Sequence, residues 1–117
     1  MVGFLAVLAI SNAPIVVSSL AELREAARGA GPGTSIHIAP GEYLGGVFLS
    51  NLHGASNRPI VISAKEPKNP PKFRGGSGIH LSKVSHLQLY DLQIEDVKAN
   101  GLNIDDGGDL TRPSTDV

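Results

Sequence analysis

Ser77-Gly78-Ile79-His80-Leu81-Ser82 returns in outline as Asn100-Gly101-Leu102-Asn103-Ile104-Asp105, at an offset of 23 residues from Gly78 to Gly101. Each copy enters through a glycine, alternates apolar and polar for four residues, and stops at a turn former. That alternation is the period of a β-strand with one buried face. Four more segments share it: Ser35-Ile36-His37-Ile38-Ala39, Gly46-Val47-Phe48-Leu49-Ser50, Pro59-Ile60-Val61-Ile62-Ser63 and His86-Leu87-Gln88-Leu89-Tyr90. Ile36 to Ile60 spans 24 residues and Ile60 to Leu87 spans 27, a range in which one repeat makes one coil of a solenoid. Stacking the coils predicts one inward ladder of Ile36, Ile60 and Leu87 and another of Val47, Ile79 and Leu102. A sandwich of hairpins is the alternative, but only Asn100-Gly101 and Asp106-Gly107 suit a two-residue turn, and neither joins two clear strands. The expected fold class is therefore an all-β solenoid, a parallel β-helix.

Composition agrees with a small aliphatic core. The chain has 117 residues, no cysteine, 4% aromatics and a net charge of −1. Disulfides and thiol chemistry are excluded, and nothing in the charge balance points to nucleic acid. No apolar stretch approaches a membrane span. One helix is readable: Ser19-Leu20-Ala21-Glu22 fits a capping box, and Gly29, Gly31, Pro32 and Gly33 end the helix. Ahead of it, Val2–Ile10 is an apolar run followed by Ser11-Asn12-Ala13. It reads as a signal peptide with no basic residue before it, or as a leader strand. The expected organisation is leader 1–15, capping helix 16–33 and first coils 34–117.

Gly33-Thr34-Ser35-Ile36-His37-Ile38-Ala39-Pro40-Gly41-Glu42-Tyr43, placed behind a helix, resembles the opening of secreted right-handed parallel β-helix proteins of the pectin-lyase-like superfamily. Gly46-Val47-Phe48-Leu49, Arg58-Pro59-Ile60-Val61-Ile62 and Gly78-Ile79-His80-Leu81 extend the likeness over roughly 16–117. It points to bacterial right-handed β-helix repeat proteins and, more loosely, to chondroitinase-B-like and alginate-lyase-like polysaccharide lyases. The resemblance implies an N-terminal α-helical cap, about three coils truncated at the C-terminus, and a secreted, periplasmic or cell-surface setting. It also implies an N-terminal fragment of a protein that binds or cleaves polysaccharide, itself non-catalytic. A structural or adhesive surface solenoid is the alternative. Whether the whole protein is a polysaccharide lyase or a glycoside hydrolase stays open, because a superfold hosts many activities.

If Ile79, Leu81, Leu102 and Ile104 point inward, then His80, Ser82, Asn103 and Asp105 point outward, with neighbours about 4.8 Å apart on paired strands. Asp105, Asp106 and Asp109 crowd the following turn, an oxygen-rich set of the kind calcium takes. The plainer alternative is that Asp and Gly simply end a strand. An EF-hand is excluded, since the twelfth position from Asn103 is Ser114 and not Glu. Lys65, Lys68, Lys72 and Arg74 form a basic run that could hold the carboxylates of an acidic polysaccharide, or simply line a solvated turn. The expected ligand-binding residues are His80, Asn103, Lys65, Lys72 and Arg74. The expected metal ligands are Asp105, Asp106 and Asp109. His37, His53 and His86 show no zinc spacing, no Gly-x-Ser-x-Gly nucleophile elbow occurs, and no catalytic residue is assigned.

Overall fold

The structure is a computed structural model and describes residues 13–98, 100–108 and 114–117. The elements in chain order are β1 (Ile15–Val17), α1 (Leu20–Arg28), β2 (Ser35–Ile38), β3 (Glu42–Leu44) and β4 (Val47–Ser50). They continue with β5 (Ile60–Ala64), β6 (Lys72–Arg74), β7 (Ile79–Ser82), β8 (Leu87–Tyr90), β9 (Gln93–Glu95) and β10 (Leu102–Asp105). All strand pairs are parallel and form three short sheets: β1-β2-β5-β8, β4-β7-β10 and β3-β6-β9.

This arrangement corrects the expected fold class. The described residues make a small body of three short parallel sheets and one helix, not a clear solenoid of regular coils behind a cap. Strands of three to five residues and uneven steps between them are the physical reason. Ile36 pairs with Ile62 rather than Ile60, while Ile60 does pair with Leu87. The first expected ladder is thus displaced by two residues at one step. A shift of two keeps the same side chains inward, so the core survives the slip. The second ladder holds in register, with Ile79 between Val47 and Leu102, but Leu102 is 43% exposed and not inward. The helix is also not a simple cap, because β1 precedes it and pairs with β2.

All six strands expected from the alternation are present, and four more join them. Strands β3, β6 and β9 each bring one apolar side chain inward between polar or exposed neighbours: Tyr43, Phe73 and Ile94. Phe73 is fully buried and stacks on Tyr43 with ring centroids 5.3 Å apart. The Tyr43 hydroxyl donates to the Ala39 carbonyl at 2.6 Å, so its one polar atom is satisfied. The same buried core holds Ile36, Ile38, Leu49, Leu52, Ile60, Ile62, Leu81, Val84 and Leu87. Each such side chain contributes about 1.5–3 kcal/mol on leaving water.

Helix α1 covers one flank of this core with Leu23 and Ala27. Ser19 caps it as expected, its hydroxyl accepting from the Glu22 amide at 3.0 Å. Glu22 reaches back one residue further than a capping box requires, accepting from the Ser18 amide at 2.8 Å. Left-handed residues follow several strands: Asn51 after β4, Lys83 after β7, Asp91 after β8 and Asp96 after β9. Each turns the chain out of one sheet toward the next, at a cost of roughly 1–2 kcal/mol for a residue with a Cβ. Residues 1–12, most of the expected leader, lie outside the described residues, and Ile15 opens β1. Among the described residues no helix is long and apolar enough to cross a membrane.

Candidate functional site

The β4-β7-β10 sheet carries the site because its outward side chains fall in register. Phe48 pairs with His80, and His80 with Asn103. This row runs across the sheet with an aromatic ring at one end, an imidazole in the middle and an amide at the other. The Phe48 ring is half-exposed and meets His80 edge to face at 4.9 Å. The repeated Ser77-Gly78 and Asn100-Gly101 entries bring Ser77 and Asn100 alongside. Together Ser77, His80, Asn100 and Asn103 line an open cleft of about 250 Å³.

Asp105 organises one wall. It pairs with Ser82, so His80 is its diagonal neighbour on the same face, and an extended carboxylate reaches that far. His80 Nε2 donates to Asp105 Oδ2 at 2.5 Å, and Ser82 Oγ donates to Oδ1 at 2.8 Å. The Gly107 amide donates to the same Oδ1 at 2.8 Å. Bonds of this kind favour the charged form. The His80 bond, then Ser82 and Gly107, hold Asp105 near pKa 2, below the ordinary 3.8. A carboxylate depressed on folding stabilises the fold above its unfolded value and loses that contribution as pH falls through the folded one. Asp105 should therefore contribute acid sensitivity between pH 3.8 and about 2. Thermal melts of wild type and Asp105→Asn should diverge at pH 5 and converge by pH 2, and parallel curves would contradict the assignment.

Two of the three expected metal ligands, Asp105 and Asp106, fall within the described residues. Both Asp105 oxygens accept hydrogen bonds, Asp106 Oδ1 accepts from the Gly108 amide at 2.9 Å, and Asp109 lies outside the described residues. These are the bonds of an Asx-type turn ending β10, the plainer of the two expectations. Among the described residues no three His, Cys, Asp or Glu side chains gather as a cation site.

The basic residues sit elsewhere. Lys65 follows β5 in the four-stranded sheet, while Lys72 stands between Glu42 and Gln93 in the β3-β6-β9 sheet. Arg74 meets Asp96 at 2.7 Å, Glu42 at 3.2 Å and Glu95 at 3.5 Å. The Asp96 bond, then the Glu42 charge, raises its already high pKa. Its guanidinium is committed to these carboxylates. None of the three cations lines the cleft.

The elements of a serine triad occur, but apart. Asp105 holds His80, yet the nearby serine hydroxyl bonds the carboxylate and not the imidazole. His53 Nδ1 lies 2.8 Å from Ser85 Oγ, with no carboxylate on that imidazole among the described residues. Ser77, Asn100, Phe48 and the Asp105–His80 bond were not singled out from sequence. The signal for the first two was present, since the 23-residue offset that aligns His80 with Asn103 also aligns Ser77 with Asn100. No known protein family, curated protein or solved structure is matched by the chain.

Proposed function

We propose that the outer face of the β4-β7-β10 sheet binds a saccharide. The observation that carries this reading is the row Phe48–His80–Asn103 beside the cleft. An exposed aromatic ring offers an apolar platform to the C–H face of a sugar ring. Amides and an imidazole supply both donors and acceptors to its hydroxyls. The cleft is smaller than the roughly 300–1,000 Å³ of drug-sized sites and open enough for a chain to run across it. With Lys65, Lys72 and Arg74 placed elsewhere, the lining favours neutral, hydroxyl-rich units over uronates. A secreted or cell-surface setting would supply such ligands.

Calorimetric titration with neutral oligosaccharides (xylo-, cello- and manno-hexaose) and with oligogalacturonate tests the reading. Binding of a neutral ligand is expected, weakened about tenfold or more by Phe48→Ala and by Asn103→Ala, since a lost stack or polar pair costs on the order of 1–3 kcal/mol. Tighter binding of the uronate, weakened instead by Lys72→Ala, would move the site to the β3-β6-β9 sheet. No binding by any of them would remove the reading.

A further inference from the structure

We propose that the cleft also hydrolyses an O-acyl ester on the bound saccharide, with His80 as the general base; this rests on the saccharide reading above. The proton positions follow from the geometry. A carboxylate can only accept, so the 2.5 Å contact places a hydrogen on His80 Nε2. In the neutral ring the lone pair is then on Nδ1. Asp105 is itself fixed by Ser82 Oγ and the Gly107 amide, and the edge-to-face contact with Phe48 restrains the ring plane. An imidazole oriented by a carboxylate and bordering a cleft is the arrangement general-base catalysis requires.

The lining selects the reaction class. Cleaving a glycosidic bond usually takes two carboxyl groups flanking it. Here the only carboxylate on His80 among the described residues is Asp105, with both oxygens engaged. Eliminating across a uronate needs a cation to neutralise the sugar carboxylate, and among the described residues the cleft is lined by Ser77, His80, Asn100 and Asn103. Ester hydrolysis needs a base for water and donors for an oxyanion, and His80 with the Asn100 and Asn103 amides supplies both.

The step balances without a cofactor. A water oxygen bonds to the acyl carbon while its proton passes to His80 Nδ1, and the carbonyl oxygen becomes an oxyanion facing the amides. Collapse breaks the bond from the acyl carbon to the sugar oxygen, and His80 returns the proton to that oxygen. The products are a free hydroxyl and a carboxylic acid.

The test is acetate release from partially O-acetylated xylo-oligosaccharides, followed by proton NMR at pH 7 with the whole chain. Release by the wild type is expected, and His80→Gln should slow it by about 100- to 10,000-fold. Asp105 acts as a positioning residue, so Asp105→Asn should lower kcat with KM nearly unchanged, where a loosened fold would move both. Circular dichroism of each variant separates chemistry from unfolding. Saccharide binding without acetate release, or release unchanged in a folded His80→Gln, overturns the proposal and leaves the binding reading standing. Failure of both binding and release removes the two together.

Discussion

Phe73→Ala is expected to destabilise the protein by about 3–5 kcal/mol, the range for truncating a fully buried phenylalanine. Phe73 is fully buried at the centre of the β3-β6-β9 sheet, flanked in register by Tyr43 and Ile94. The loss combines the transfer free energy of the ring with the void it leaves. Strands of three residues on either side can collapse only partly, because each is fixed by its ladder bonds. The stacked contact with Tyr43 at 5.3 Å would be lost as well. Domains of this size have a total stability of about 5–15 kcal/mol, so the variant should be close to unfolding at room temperature. Urea denaturation followed by circular dichroism measures it. With a slope of about 2 kcal/mol/M, the midpoint should fall by roughly 1.5–2.5 M. Phe73→Leu should recover more than half of the difference. A loss below about 1 kcal/mol for the alanine variant would mean that the sheet core is not packed as described.

Phe73 also shows where reading the sequence ends. Lys72-Phe73-Arg74 offers one apolar residue between two charges, and a single residue has no period. The same holds for Gln93-Ile94-Glu95. The basic flanks of Phe73 therefore read as a charged turn, which hides the largest fully buried side chain between two expected ligands. Where two apolar positions alternate, as in Ile36 and Ile38 or Ile79 and Leu81, the strand and its inward face were legible. Register was legible where glycine entries marked both strands, and at the step from Ile60 to Leu87. The 23-residue offset placed Asn103 beside His80 correctly, while Ile36 found Ile62 instead of Ile60 because nothing in the loops between them fixes the step. The outward row was readable by the same logic, but its chemistry was not. Adjacent-register reasoning puts Asp105 beside Ser82, and the His80 bond is a diagonal that depends on side-chain rotamers. The spacing of the aspartates does not show this either, since both Asp105 oxygens and Asp106 Oδ1 take their bonds from nearby N–H and O–H groups.

Gly78→Ala should destabilise the fold by on the order of 3 kcal/mol and disable the cleft together with it. Gly78 has φ +68°, a left-handed conformation that costs a residue with a Cβ roughly 1–2 kcal/mol. A Cβ there would stand 2.2 Å from the Gly101 carbonyl oxygen. That oxygen accepts from the Ile79 amide at 2.8 Å, and the Gly78 carbonyl accepts from the Val47 amide at 2.9 Å. One small residue thus joins the entries of β4, β7 and β10, and relief of the clash must part backbone from backbone. Ser77 and Asn100 flank this junction and line the cleft, so the displacement that relieves the clash also widens the binding wall. Thermal melting should show a fall of about 10 °C or more, and titration below that temperature should show weakened saccharide binding in the folded fraction. Gly31→Ala is the matched comparison, since its added Cβ meets nothing within 4 Å. It should be neutral or gain up to about 1 kcal/mol by restricting the unfolded chain. If Gly78→Ala melts normally, the close approach of β7 and β10 is wrong. If it melts early yet the folded fraction binds as tightly as wild type, the junction holds the sheet but does not position the cleft.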